Sequence, residues 1–442
     1  MTASDDHTSH PTAAAPLPRT PHSAGALRPL LVLGAGAQPY REFFLQSLAA
    51  RHPVMLADSS LPEWSRPFVR DHLAIDLSDA EFTAAAVKEV AEQTPLAGIC
   101  TYMEHHIELG ARLAKQLGLP GTSPASMAAC RDKATTRRLL ASHNVRSARS
   151  FQVDDEDSAV AHARLLGYPV VVKPRAMAGS AGVLRCDSET EVRVAFKHAS
   201  WETVLGLDAY AVHGVLVEEY LDGPEISAET VVHNNGVHIV AVTRKTLGEE
   251  PRFQEIGHGV DSRDALLGDP AVTETVTQAV RALKVERGVL HVELRLTKRG
   301  PAVVEVNGRP AGDLVPLLVQ RATGVDLMAA VADLATGAVP DLRPTRQEAA
   351  AVRFLYPAFS GRVGPLHVPV SLREQPWLER LVWTRRAGEQ VTAPPLASID
   401  DRLGHWVVTG ETADECQQRL VEVLLQVTAP INPSAQATAC TR

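Results

Sequence analysis

Lysine is scarce in this 442-residue chain: only eight of its 44 basic side chains are Lys and the rest are Arg. Where a lysine falls in a recurring chemical pattern, chance is therefore a weaker explanation than usual. Cysteine is sparse as well. Cys100, Cys130, Cys186, Cys416 and Cys440 are scattered, with no CxxC pair. An odd, unpatterned set is expected of reduced thiols in a cytoplasmic protein, structural or incidental in role. No apolar run approaches the ~20 residues of a membrane helix, so no membrane partner is expected. A formal net charge of -8 argues against a nucleic-acid surface. What is present, 45% hydrophobic and 22% charged residues, suits a globular protein of two to four domains with a real core. Residues 1–28 are rich in Ala, Pro, Ser, Thr and His and open with Asp5-Asp6, which reads as a disordered tail rather than a secretory signal.

Leu30–Leu33 running into Gly34-Ala-Gly36, then a helix over 40–50, a strand ending at Asp58 and a strand over 97–101, alternate strand with helix. That pattern predicts a doubly wound parallel sheet across 29–122. Ser123-Pro124 is a helix start, with Ser as N-cap and Pro at the first helical position. A helical linker and a small lid unit follow over 123–212, with the strand Val170–Pro174 and the loop Arg175–Gly182. Over 213–340 come a strand from Val215, a hairpin across Asn234-Asn-Gly236 and a second hairpin described below. Residues 341–442 form a final unit with strands near 350–356 and 405–409 and a closing helix. The fold class is α/β in the broad α+β sense.

The second hairpin carries the chemistry. Gly288–Thr297 reads as a strand, Lys298-Arg-Gly300 as a turn and Pro301–Asn307 as the returning strand. Even positions (Val292, Leu294, Leu296, Ala302, Val304, Val306) are apolar and should face a core. A three-residue loop centred on Arg299, with Gly300 in the left-handed slot, sets Glu293 opposite Glu305. Opposed Cβ atoms lie roughly 4.5–5.5 Å apart. Two carboxylates that close repel, and a hard divalent cation with Asn307 as a third oxygen ligand resolves the conflict. Arg295 is the alternative source of positive charge. Such a face looks like a magnesium–phosphate platform.

In chain order the polar landmarks are Lys133, Lys173, the small-residue loop 176–182, Glu218, Glu225, Glu293 and Glu305-x-Asn307-x-Arg309. Each has a plain reading: a strand lysine as structure, a Gly/Ser loop as a turn, Glu225 as an exposed turn acid. His105-His106 is a poor metal pair, because adjacent helical residues point apart. Together, over roughly 123–328, they resemble the ATP-grasp superfamily: an N-terminal doubly wound parallel-sheet domain, a small lid domain and an antiparallel-sheet C-terminal domain. Val170–Pro174, Val217–Glu225 and Gly300–Arg309 carry the resemblance. Phe253–His258, Asn307–Asp313 and Ala351–Tyr356 narrow it to L-amino acid ligases of the bacilysin-synthetase and dapdiamide-synthetase type.

The resemblance implies ATP and magnesium (or manganese) as cofactors, amino acids as small-molecule substrates, and a homodimer, which is common among relatives. It implies that Lys133 and Lys173 contact phosphates and that Gly179 and Ser180 lie in a flap closing over them. Glu218, Glu219 and Leu221 would line the adenine hinge, and Glu225 would bind the ribose. Glu293, Glu305 and Asn307 would hold magnesium. Arg309 suits a carboxylate or developing oxyanion. Glu255 and His258, three apart in a Gly-bounded loop, could orient or deprotonate the incoming ammonium. Glu104 loosely matches a substrate-contacting glutamate. The reaction implied is activation of a carboxylate as an acyl phosphate and capture by an amine, with release of ADP and phosphate. Rival readings are an ATP-grasp ligase or carboxylase acting on a non-amino-acid carboxylate, a nicotinamide-dependent oxidoreductase, and a nucleotide-binding sensor. The Gly34-x-Gly36 turn lacks the third glycine an oxidoreductase needs.

Overall fold

A computed structural model describes residues 27–177, 179–201, 213–394 and 396–433. The expected tail over 1–28 lies outside them except for its last two residues, as does Cys440. Strands β1 (Leu30–Leu33), β2 (Val54–Asp58), β3 (Asp71–Ala74) and β4 (Gly98–Cys100) form a sheet in the order β3-β2-β1-β4. All three pairings are parallel. The continuous Leu-Leu-Val-Leu run of β1 is fully buried, as a parallel strand covered on both faces requires.

Strands β5 (Ser150–Val153), β6 (Val170–Pro174), β7 (Leu184–Cys186) and β8 (Val215–Glu219) build a separate antiparallel sheet, ordered β5-β8-β6-β7. Helices Glu156–Leu166 and Glu189–Trp201 cover it around their own small core.

The chain then makes β9 (Glu225–His233), β10 (Gly236–Leu247), β11 (Glu255–Asp261), β12 (Gly288–Thr297), β13 (Gly300–Asn307) and β14 (Ala349–Leu355). After these come β15 (Gly361–Val363), β16 (Leu378–Trp383), β17 (Gln390–Val391), β18 (Gly404–Gly410) and β19 (Ile431–Pro433). Eight of them form one antiparallel sheet, β13-β12-β9-β10-β11-β14-β18-β16, and β17-β15-β19 a small satellite. Strands β14, β16 and β18 of the final unit lie in the large sheet. Period-two alternation splits this sheet between two cores: Ala241 packs with helices Val315–Thr323 and Leu327–Thr336, and Val242 with helix Pro270–Ala282. Among the described residues no single helix is long and apolar enough to cross a membrane.

The Glu hairpin departs from the expected loop and still reaches the expected pairing. Its strands close on two residues, Lys298-Arg299, with Thr297 opposite Gly300, and Gly300 has φ +100°. One extra residue is inserted near Val304, between the Glu293↔Glu305 and Leu294↔Val303 pairs. This bulge restores the register that a three-residue loop would have given. It also corrects the even-position pattern: Val303, not Val304, is in the core, and Ala302 pairs with Arg295 on the polar face. The carbonyls of Val303 and Val304 receive hydrogen bonds from Arg137 at 3.1 and 2.7 Å.

The parallel-sheet domain docks on the large sheet's helices. Ser47 Oγ donates to Asp326 at 2.6 Å and Arg51 pairs with Asp333 at 2.6 Å. A Cβ on Gly98 would lie 2.3 Å from the Ala335 carbonyl oxygen, so β4 needs glycine there. Gly98→Ala is expected to lower stability by about 1–3 kcal/mol by forcing the two domains apart; denaturant unfolding with the slope unchanged would measure it.

Candidate active site

Lys245 sits at the centre of the polar face. Its ammonium lies 2.7 Å from Glu255, 3.0 Å from Glu293 and 3.2 Å from Glu225, and its side chain is 1% exposed. Burial alone would pull such a lysine down. The three carboxylates instead hold it well above its ordinary value, so it stays charged. Burial would likewise raise Glu293, yet Lys245 and His291 hold it well below the usual carboxylate range.

His291 bridges two acids, with Nδ1 3.0 Å from Glu229 and Nε2 3.1 Å from Glu293. Burial opposes its charge, and the two carboxylates outweigh burial, pushing it up to about 9. Glu229 is fully buried and also accepts from Ser227 and Thr243. Opposite Glu293, Glu305 pairs with Lys133 at 2.9 Å. Lys133 also donates to the Met177 carbonyl at 2.7 Å, which ties the flap to the platform. Asn307 Nδ2 lies 3.4 Å from Glu293. Arg295 does not serve the acid pair. It binds Glu225 at 2.8 Å and the Gly223 carbonyl.

A second buried cluster faces this one from β6 and β8. Glu218 accepts from Arg137 at 2.8 and 3.0 Å and pairs with Lys173 at 2.6 Å. Burial raises this acid, but the two cations together take it down to about 2. Arg137 therefore links β8 to the bulge of β13. Glu219, next in the chain, points the other way and pairs with the exposed Arg149 and Arg299. Leu221 is half-buried in the segment after β8. In the flap, Gly179, Ser180 and Gly182 have φ of +67°, +58° and +70°.

The Glu255–His258 segment is not a loop. Both residues lie on β11, an interior strand, and His258 is buried. A bulge on β11 leaves Ile256 unpaired opposite β10, where Thr246 pairs with Gly257 and Leu247 with Glu255. Residues three apart in the chain thereby reach one face. His258 Nε2 lies 3.4 Å from Glu255 and 3.6 Å from Asp313. Burial lowers His258, while these two acids raise it past its ordinary value. Asp313 is held by Arg402 through two 2.8 Å hydrogen bonds. Asp313 and Leu314 take φ of +49° and +64°, a strained conformation for non-glycine residues. Arg309 Nε pairs with Glu104 at 2.6 Å, joining the large sheet to the parallel-sheet domain.

Two family models match: an ATP-grasp domain over residues 166–316 and an ATP-grasp N-terminal domain over 51–121. The chain is similar to a D-alanine–D-alanine ligase of Cupriavidus metallidurans, 29% identical over 52% of this chain and 72% of that protein. It is similar to human carnosine synthase 1, 24% identical over 72% of this chain and 41% of that protein. Thus the chain spans under half the length of that relative. A crystal structure of an L-amino acid ligase from Bacillus licheniformis superposes with TM-score 0.78 at 22% identity, over 93% of this chain and 100% of that one.

The chain has the ATP-grasp fold. Within it, the lid sheet supplies Lys173 and Glu218, and the large sheet supplies Glu225, Lys245, Glu255, His258, Glu293, Glu305 and Asn307. Glu293, Glu305 and Asn307 fit a hard divalent cation. They offer two carboxylates and an amide, Glu293 is held ionised, and both acids keep partly exposed side chains. Sequence reasoning missed Lys245, His291, Arg137, Asp313 and Arg402. The lysine-scarcity argument applies to Lys245 as well as to Lys133 and Lys173, but nothing in the spacing ties it to the hairpin.

Lys245→Met should destabilise the ligand-free protein by about 2–4 kcal/mol, because three half-buried acids lose their shared cation. Without Lys245, burial leaves Glu255 and Glu293 with raised folded-state values, so the folded variant binds more protons than the unfolded chain. The deficit against wild type should therefore shrink as pH falls from 8 toward 5. Paired melting curves across that range check the sign.

Proposed function

We propose that the chain is an ATP-dependent carboxylate–amine ligase. It joins an amino acid or related carboxylate to the amine of a second amino acid and releases ADP and phosphate. The observation that carries this reading is the Glu293–Glu305 opposition with three buried lysines converging on the same cleft. The ligase names of the relatives support it.

A carboxylate is a poor acyl donor, and transfer of the ATP γ-phosphoryl group to it makes an acyl phosphate that an amine can attack. Catalysis of such a transfer is mostly positioning and charge stabilisation. Lys133, Lys173 and Lys245 each hold a carboxylate in the ligand-free protein. Triphosphate oxygens would compete for the same ammonium groups. Magnesium held by Glu293, Glu305 and Asn307 would screen the remaining phosphate charge. Arg309, anchored through Nε by Glu104, keeps its guanidinium edge at the mouth of the platform for a carboxylate or developing oxyanion. The flap over 176–182, tied to Lys133 through Met177, is placed to keep water from the acyl phosphate.

Glu255 is raised by burial, but Lys245 and His258 bring it to about 2, and His258 is held toward its charged form. A weak base and a protonated imidazole suit orientation of the incoming amine better than removal of its proton.

Phosphate release from ATP, scanned over pairs of amino acids, tests the reaction class. Release that requires two substrates together is expected; turnover of reduced nicotinamide alone would end the ligase reading. Glu305→Ala should abolish turnover at saturating magnesium with the fold retained by circular dichroism. Lys173→Ala should lower kcat or raise the KM for ATP by orders of magnitude, read in the same assay.

A further inference from the structure

Arg41 lies one turn into the helix Gln38–Arg51, just after the Gly34-Ala-Gly36 turn. A cation near a helix N-terminus works against the helix dipole, and this helix has no acidic residue in its first turn. The Arg41 guanidinium packs 5.0 Å from the Phe44 ring and 5.8 Å from the Tyr102 ring. Its Nη1 is sealed from solvent with no hydrogen-bond partner among the described residues. Nη2 borders the 308–313 loop, 3.8 Å from where a Gly312 Cβ would be.

No acid is committed to this group. Asp313, the carboxylate that acts on it most, is already engaged by both arms of Arg402. Burial first, and then the like charge of Arg309, pull Arg41 down to about 10. Arg309 itself has Glu104 as its partner. Two guanidinium groups therefore act on each other beside the 308–313 loop, and the two carboxylates nearest them, Glu104 and Asp313, are already paired with Arg309 and Arg402. A buried arginine without a counter-charge is destabilising, and such a group marks a place where an anion from outside completes the set. The planar fork selects a carboxylate over a neutral amide.

We propose that Arg41, with Arg309 across the cleft, seats a substrate carboxylate other than the one that is activated. This rests on the ligase reading and narrows it: the two substrates together carry an anionic group besides the activated carboxylate, and the parallel-sheet domain selects for it. That group is either the α-carboxylate of the amine-bearing substrate or a side-chain carboxylate of the acyl donor.

The experiment pairs equilibrium binding with turnover. Wild type, Arg41→Ala and Arg41→Lys are titrated calorimetrically, with magnesium and a non-hydrolysable ATP analogue, against proteinogenic L-amino acids and their carboxamides. Glutamate and aspartate are compared with glutamine and asparagine to separate a side-chain source from an α-carboxylate source. Wild type should prefer the acid to the matching amide by roughly 100-fold, the scale of a charge-assisted pair. Arg41→Ala should lose that preference, and Arg41→Lys should recover part of it, while the affinity for the nucleotide analogue moves by less than about threefold. In turnover the loss should fall on the KM of the carboxylate-bearing substrate. An Arg41→Ala protein that still melts as wild type and still prefers acid over amide overturns the proposal. So does a wild type that binds no carboxylate. An acid preference in wild type that Arg41→Ala loses, with no phosphate release from any pair, would instead sink the ligase reading and leave the anion seat standing.

Discussion

One ammonium group holds the cleft together. Lys245 sits among Glu225, Glu255 and Glu293, each from a different strand. Without it, three carboxylates would be forced together away from water, where like charges repel strongly and desolvation adds to the penalty. The strand order β12-β9-β10-β11 brings those residues side by side. The charge balance at Lys245 is therefore a condition on the large sheet itself as well as on any ligand it receives.

From that centre the remaining charges fall into a chain of partnerships. Glu293 passes to His291 and Glu229; Glu255 passes to His258, Asp313 and Arg402. Glu305 with Lys133, and Glu218 with Lys173 and Arg137, form the facing set. In the ligand-free protein each of these three lysines pairs with a carboxylate. A polyphosphate entering with a divalent cation can exchange into this lattice, cation to carboxylate and phosphate to ammonium, with little reorganisation of charge. This is preorganisation in the electrostatic sense.

The parallel-sheet domain takes part through arginine. Arg309 reaches Glu104 across the domain boundary, and Arg41 comes from the other side without a carboxylate of its own. Lys133, Lys173 and Lys245 are paired with carboxylates, whereas among the described residues Arg41 on the N-terminal side is not.

The amino-acid order alone determined the hairpin, the opposition of Glu293 and Glu305, the lysines at 133 and 173, and the alternation that makes β1–β4 parallel. These are local matters: period-two patterning, a Gly at a turn and strand–helix alternation act over a few residues. Even so, the pairing of the two acids came through a two-residue turn and a bulge instead of the longer loop, because Val303 had to fill the core. Only the tertiary structure decided that Lys245 meets three acids, that a bulge brings Glu255 and His258 to one face, that Arg402 from the last unit clamps Asp313, and that Arg41 Nη1 is buried without a hydrogen-bond partner among the described residues. Each joins residues far apart in the chain, and their contact depends on sheet order and domain docking, which no local spacing encodes.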